Sequence, residues 1–436
     1  MPSITALLPF FVFLILSAFM TLWTKRDPGH KDFFLGGRSL GVFPLVMTFL
    51  GTQIGGGFIL GTADSAFRQG ILGIGYPLGL AIGFFGLGTG FGAKLRSLEL
   101  NTIAQLFDRV YASPKLYRFA SLLLLCSLFG ILIALAIGLK EFMLALGFSS
   151  PLWFLFSWFL VLAYTTQGGF LTVVWTDVVQ ALAMIVLLIV AFVTSFFNVS
   201  DITWVLPTAS FSKALPELVM PAIFMFIGQD MAQRCMAART PEIATKSSKI
   251  SAVILTFLAF IPVWFGLVGR KLGADPAQGS IFLQAVSLST SPFVFALAAS
   301  SVLLAIVSTV SAILLAISSS LSHDILKGRF ARTTTFTTGA LALVGTLLAT
   351  DIISCMVTSY ELSAAILGAP LLAAIYATQN VQGKSKIAWA GVILGAIAFA
   401  AQRIFDLSPL LPLAISGTVT AFFVASSSQK GAQEAA

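Results

Sequence analysis

The chain has 436 residues, 58% of them hydrophobic and only 10% charged, with a mean hydropathy of +0.98. Soluble proteins carry about a quarter of their residues as charge, so a soluble enzyme, a disordered chain and a single anchor with a folded ectodomain are excluded. The 25 Lys+Arg against 17 Asp+Glu give a net charge of +8, which in so apolar a chain reads as basic loops on one side of a membrane rather than as nucleic-acid binding.

Apolar runs of about 20 residues, the length that crosses a bilayer as a helix, recur from end to end. They are continuous blocks, unlike the period-two alternation of barrel strands. The pattern predicts an all-α integral membrane protein of about 13 transmembrane helices, with no inter-span segment long enough for a separate domain. Residues 4–24 form the first span. Lys25, Arg26 and Asp27 follow it where a signal peptide would have its small-residue cleavage site, so a retained helix is expected. With the N-terminus outside, most basic residues, including those within 25–38, 94–118, 234–249 and 327–332, fall inside. That orientation puts the C-terminus in the cytoplasm, and the expected location is the cell (inner) membrane.

The second span, 41–66, is interrupted by Gly-Thr-Gln-Ile-Gly-Gly-Gly at 51–57. Such a stretch supports a continuous helix poorly. A break inside a membrane survives where protein buries it or where it lines a cavity, and its freed carbonyls can then hold a cation. Close helix packing through Gly51 and Gly55 is the competing reading. The sixth span, 170–197, carries Asp177 about two turns inside, either as a functional carboxylate or as a helix-terminal charge favoured by the dipole. The seventh, 216–233, has Pro221 and then Gly228, Gln229 and Asp230, a second interruption five spans after the first. Interrupted helices five apart are what an inverted five-plus-five repeat produces. In the ninth span, 293–322, Ala305, Ser308 and Thr309 share one helical face. They offer a small hard-oxygen cluster for an alkali cation, unless the hydroxyls only bond their own helix. Asp324, at the end of that span, reads as a solvated or capping residue.

Cys126, Cys235 and Cys355 are scattered, and His30 and His323 are the only histidines. These give no disulfide framework, metal site or nucleophile–base pair, so an enzyme is not expected.

FFLGGRSLG (33–41) with TFLGTQIGGGFILGTADSAFRQG (48–70) resembles the opening of the sodium:solute symporters. GGFLTVVWTDVVQ (168–180), GQDMAQRCMAARTPEIATKSS (228–248) and LAIVSTVSAILLAISSSLSHDIL (304–326) resemble later motifs of that family, in the same order. The resemblance implies a LeuT-type fold: an added N-terminal helix and basic loop at 1–40, five-helix repeats at 41–197 and 198–378, and two C-terminal helices with a short tail at 379–436. It implies sodium-coupled import of a small organic solute, with no cofactor and no nucleic-acid partner. It also implies sodium ligands at the carbonyls of Gly51, Ile54 and Ala305 and the hydroxyls of Ser308 and Thr309, with Asp177 toward the sodium exit. Gln53 stands where some proline symporters have an aspartate. Candidate solute contacts, read from the breaks, are Gln53, Gly56, Phe58, Phe226 and Gln229. Proton coupling on the same fold, and solute sensing without net transport, are the alternatives. The hydroxyl cluster favours sodium, since a proton relay would need more buried carboxylates or histidines.

Overall fold

The computed structural model describes residues 33–148, 150–204, 211–347, 352–376 and 381–434, with single positions at 12, 15 and 19. The expected first span at 4–24, apart from those single positions, and the basic residues Lys25, Arg26 and Lys31 lie outside the described residues.

Among the described residues the fold is all helical, apart from one isolated backbone bridge between Leu40 and Ala238. The principal helices are α1 (Val42–Gln53), α2 (Thr62–Gln69), α3 (Gly75–Gly86), α4 (Pro114–Ala145), α5 (Pro151–Asn198), α6 (Phe211–Ile227) and α7 (Gln229–Ala237). There follow α8 (Pro241–Leu258), α9 (Phe260–Lys271), α10 (Pro292–Ser320), α11 (Ala331–Gly345), α12 (Ile352–Tyr376), α13 (Ser385–Phe405) and α14 (Leu410–Glu434). Seven helical segments are long and apolar enough to cross a bilayer, or eight if the bent pair α6–α7 is one span. These do not confirm the count of about 13 expected from span length.

Local sequence explains the helix starts. Ser113-Pro114, Ser150-Pro151, Thr240-Pro241 and Ser291-Pro292 open α4, α5, α8 and α10. In each pair the hydroxyl accepts a first-turn amide hydrogen, and the proline takes a position that needs no amide donor. Helix α10 runs through the centre, and its most apolar stretch is completely buried. Peripheral helices instead expose Phe85 on α3, Val186 and Phe196 on α5 and Phe257 on α8. This apolar exterior is stable against hydrocarbon and not against water.

Two breaks shape the interior. Helix α1 stops at Gln53, Ile54 leaves helical geometry with ψ 72°, and the chain re-forms a helix through a π-helical turn at Gly57–Gly61 leading into α2. Helices α6 and α7 meet at Gly228 with a bend of 48°. A third break lies within α5, at Gly169 (φ 61°, ψ −158°). Only glycine adopts that geometry readily, and a side chain there would strike the Phe33 carbonyl at 2.9 Å.

Candidate functional site: the break of α1 against α5, α7 and α10

The broken end of α1 lies against the middle of α10. A Cβ placed on Gly51 would sit 2.9 Å from Ser308 Oγ and 3.3 Å from Asp177 Cβ, and one on Gly55 would sit 2.5 Å from Thr309 Oγ1. The glycines therefore let α1 approach closely enough to join the two hydroxyls and the carboxylate. Thr309 Oγ1 lies 3.1 Å from the Thr52 carbonyl and 3.0 Å from the Ala305 carbonyl, to either of which it can donate. Ser308 Oγ donates to Asp177 Oδ1 at 2.6 Å. Each hydroxyl has one hydrogen to donate and keeps lone pairs for a cation. Among the last carbonyls of α1, that of Thr52 is the one Thr309 reaches, while that of Leu50 is taken by the Ile54 amide at 2.8 Å. The five expected ligand positions, Gly51, Ile54, Ala305, Ser308 and Thr309, thus fall on the two segments that meet here. The result is a set of hard oxygens suited to an alkali cation.

Asp177 is fully buried, and it is not a hydrated helix-terminal charge. Its Oδ2 accepts from Thr48 Oγ1 at 2.5 Å and from the Arg234 guanidinium at 3.3 Å. Arg234, 1% exposed, also donates to the Thr48 hydroxyl at 3.0 Å and to the Asp230 carbonyl at 3.1 Å. From the sequence Arg234 reads as one of the basic residues of a loop. The structure corrects this: it is a buried ion-pair partner that ties α7 to α1 and α5.

Next to the break is a small cavity of about 20 Å³, room for about one water. Gln53, Gly56 and Phe58 line it, together with Asp230, Phe224, Tyr76 and Tyr360, and so do Thr52 and Thr309 of the cluster above. Phe226 and Gln229 do not line it. The Phe226 ring packs on Phe91, with centroids 5.0 Å apart. Gln229 accepts from the Ile103 amide at 2.7 Å and donates to the Asn101 carbonyl at 3.3 Å, so it holds a loop. The bend at Gly228 turns Asp230 to the cavity instead, where Gln53 Nε2 donates to its Oδ2 at 3.2 Å. A second cavity of about 330 Å³ shares Gly56, Gly57, Leu135 and Met356 with the first and continues past Asp64 and Glu141 to Gly279.

The segment preceding α1 is pinned to α7 and to the chain around residues 99 and 100. Leu40 exchanges backbone hydrogen bonds with Ala237 and Arg239, and Gln233 donates to the Phe34 carbonyl at 2.7 Å. Arg38 donates to the carbonyls of Glu99, Leu100 and Met236. Burial lowers the Arg38 pKa from its ordinary value, with Arg96 adding to the shift and Glu99 opposing it. Asp324 is also more than a cap: it accepts from Thr102 at 2.6 Å, Tyr117 at 2.9 Å and Ser121 at 2.8 Å.

Residues 33–378 match the profile of the sodium:solute symporter family. The chain is 28% identical over 336 residues to a sodium/proline symporter of Haemophilus influenzae, covering 68% of this chain and 66% of that protein. It is 26% identical over 376 residues to a high-affinity proline transporter of Bacillus subtilis, covering 79% and 78%. The structure resembles that of a Na+-coupled sialic acid symporter solved in a substrate-bound outward-open state. The TM-score is 0.79 at 18% identity, with 98% of each chain covered.

Proposed function

The chain belongs to the sodium:solute symporter family, and from that membership we propose that it imports a small organic solute across the cell membrane, driven by the inward sodium gradient. The observation that carries this reading is the apposition of the α1 break to Ser308 and Thr309, with Asp177 behind them. Sodium is bound by the carbonyls of Gly51, Ile54 and Ala305 and the hydroxyls of Ser308 and Thr309. This ion ties α1 to α10, so its arrival and departure bias the angle between them, which is the coupling that alternating access requires. Asp177 attracts the cation and assists its departure.

In the orientation set by the basic loops, the N-terminus is outside and the C-terminus cytoplasmic. The clasp formed by Arg38, Leu40 and Gln233 then seals the cytoplasmic side, and the wide cavity faces outward. Import begins from that side, with Met356 between the wide cavity and the small one. Gln53, Gly56 and Phe58 contact the solute. Relatives named as proline symporters support a small organic solute.

The test is uptake of a panel of labelled amino acids, carboxylates, sugars and quaternary amines into vesicles carrying the purified chain. Accumulation of at least one solute under an inward sodium gradient is expected, collapsing when sodium is replaced by potassium. Accumulation driven equally well by a proton gradient without sodium would contradict the assignment.

A further inference from the structure

We propose that an anionic phospholipid binds between α4 and α13, its phosphate held by Lys115, Arg118 and Lys386; this goes beyond the transport reading and does not depend on it. Lys115 and Arg118 stand at the start of α4. The same helical face continues inward as Leu122, 55% exposed, and Cys126, also exposed. The pattern repeats on α13, where Lys386 at the start is followed on its face by Trp389, Ile393 and Ile397, the last two more than half exposed. An exposed apolar stripe on a membrane-spanning helix meets acyl chains, and the long basic side chains at its end reach the head groups. The two stripes adjoin: the rings of Phe119 and Trp389 lie 5.7 Å apart, and both helices pack on α12.

The neighbouring loops add charge to the same place. The Gly383 amide donates to the Val110 carbonyl at 2.8 Å, so the loop before α13 lies against the short helix Gln105–Tyr111 before α4. Lys384 and Arg109 join the patch in this way. All five basic side chains are exposed, and none is in an ion pair among the described residues. Arg109 also lines an open cavity of about 320 Å³ with Leu100, Gln105, Tyr117 and one acid, Asp108. Asp324, the other acid close by, is engaged by three hydroxyls. Basic residues that only set topology need no aromatic pair and no paired apolar stripes in register with them. A tryptophan one turn inside a cluster of Lys and Arg is the pattern of a membrane interface, and basic pockets between spanning helices suit phosphate head groups. The solvated side chains alone would hold a free phosphate weakly; the stripes supply the rest of the contact, so the occupant is a lipid.

The test reads relative lipid affinity from quenching of a fluorophore by brominated phosphatidylglycerol or brominated phosphatidylcholine, in phosphatidylcholine vesicles carrying the full chain. One label sits on Cys126, with Cys355→Ser. The comparison label sits on Val253→Cys in a chain that also carries Cys126→Ser and Cys355→Ser. Val253 is exposed on α8, and both labelled positions lie twelve residues past the proline that opens their helix. Exposed Lys246 and Lys249 precede Val253 at the spacing of Lys115 and Arg118 before Leu122, but with no aromatic pair beside them among the described residues. The preference for phosphatidylglycerol is expected to be at least about fivefold greater at Cys126 than at Val253, the effect of one further Lys or Arg on an anionic head group. Lys115→Gln, Arg118→Gln and Lys386→Gln together should lower it to no more than the Val253 level. If that triple variant does not fold, the comparison of the two labels still decides with every lysine and arginine in place. Equal preference at the two labels overturns the proposal, leaving only diffuse attraction to the membrane surface. A preference that survives the triple variant overturns the assignment to these residues. Displacement of phosphatidylglycerol by millimolar glycerol phosphate overturns it in favour of a soluble phosphate ligand.

Discussion

Replacing Asp177 by Asn preserves the shape of the side chain and removes its charge. In the native protein two hydroxyls and a guanidinium converge on this carboxylate, with no exposure to solvent. An amide keeps one acceptor oxygen and turns an NH2 group toward donors it cannot satisfy. The larger loss is on Arg234, whose buried guanidinium forfeits its carboxylate partner. Removing one member of a buried pair costs about 3–5 kcal/mol. Because Arg234 keeps the Thr48 and Asp230 oxygens, the expected destabilisation is about 3 kcal/mol, the lower end of that range. The assay is unfolding of detergent-solubilised Asp177→Asn, Arg234→Gln and the double variant. The double variant should be more stable than the sum of the single losses implies, by about 2 kcal/mol, because neither charge is stranded. Strict additivity, or Asp177→Asn within about 0.5 kcal/mol of wild type, would refute the ion-pair account. Per folded molecule, Asp177→Asn should also show slower uptake at saturating sodium, with solute affinity changed much less.

Gly55→Ala should cost about 1–3 kcal/mol by overpacking and should push aside the Thr309 hydroxyl, which the added Cβ would meet at 2.5 Å. Gly56→Ala, whose Cβ meets Ile306 at an ordinary 3.4 Å, should stay within about 0.5 kcal/mol; thermal unfolding and sodium titration of the pair check this asymmetry. Gly169→Ala forces a side chain into a glycine-only conformation against the Phe33 carbonyl, for an expected loss of about 2 kcal/mol read from a denaturation midpoint. Asp324→Asn weakens a three-hydroxyl anchor and should cost about 2 kcal/mol, with faster hydrogen exchange in residues 101–105 as the local readout.

The breaks were legible because they are chemical as well as conformational. Glycines at 51 and 55–57, and Pro221 followed by Gly228, disfavour continuous helix on composition alone, and Ser308 and Thr309 share a face by simple periodicity. The directions of side chains around the breaks were not legible. Nearness to the break assigns Phe226 and Gln229 to the solute, whereas after the 48° bend at Gly228 the residues lining the small cavity are Phe224 and Asp230. Arg234 was the other failure. In sequence it resembles any basic residue at a span end, and its partner Asp177 is 57 positions away, on a helix whose packing no local pattern encodes.

Sodium is proposed to bind where α1 breaks against α10. Equilibrium binding of radioactive sodium to the purified protein tests it most directly, comparing wild type with Thr309→Ala and Ser308→Ala. Saturable binding is expected in wild type, with affinity lowered about fivefold to thirtyfold in each variant, the loss of one oxygen ligand at about 1–2 kcal/mol. Unchanged sodium affinity in both folded variants would contradict it.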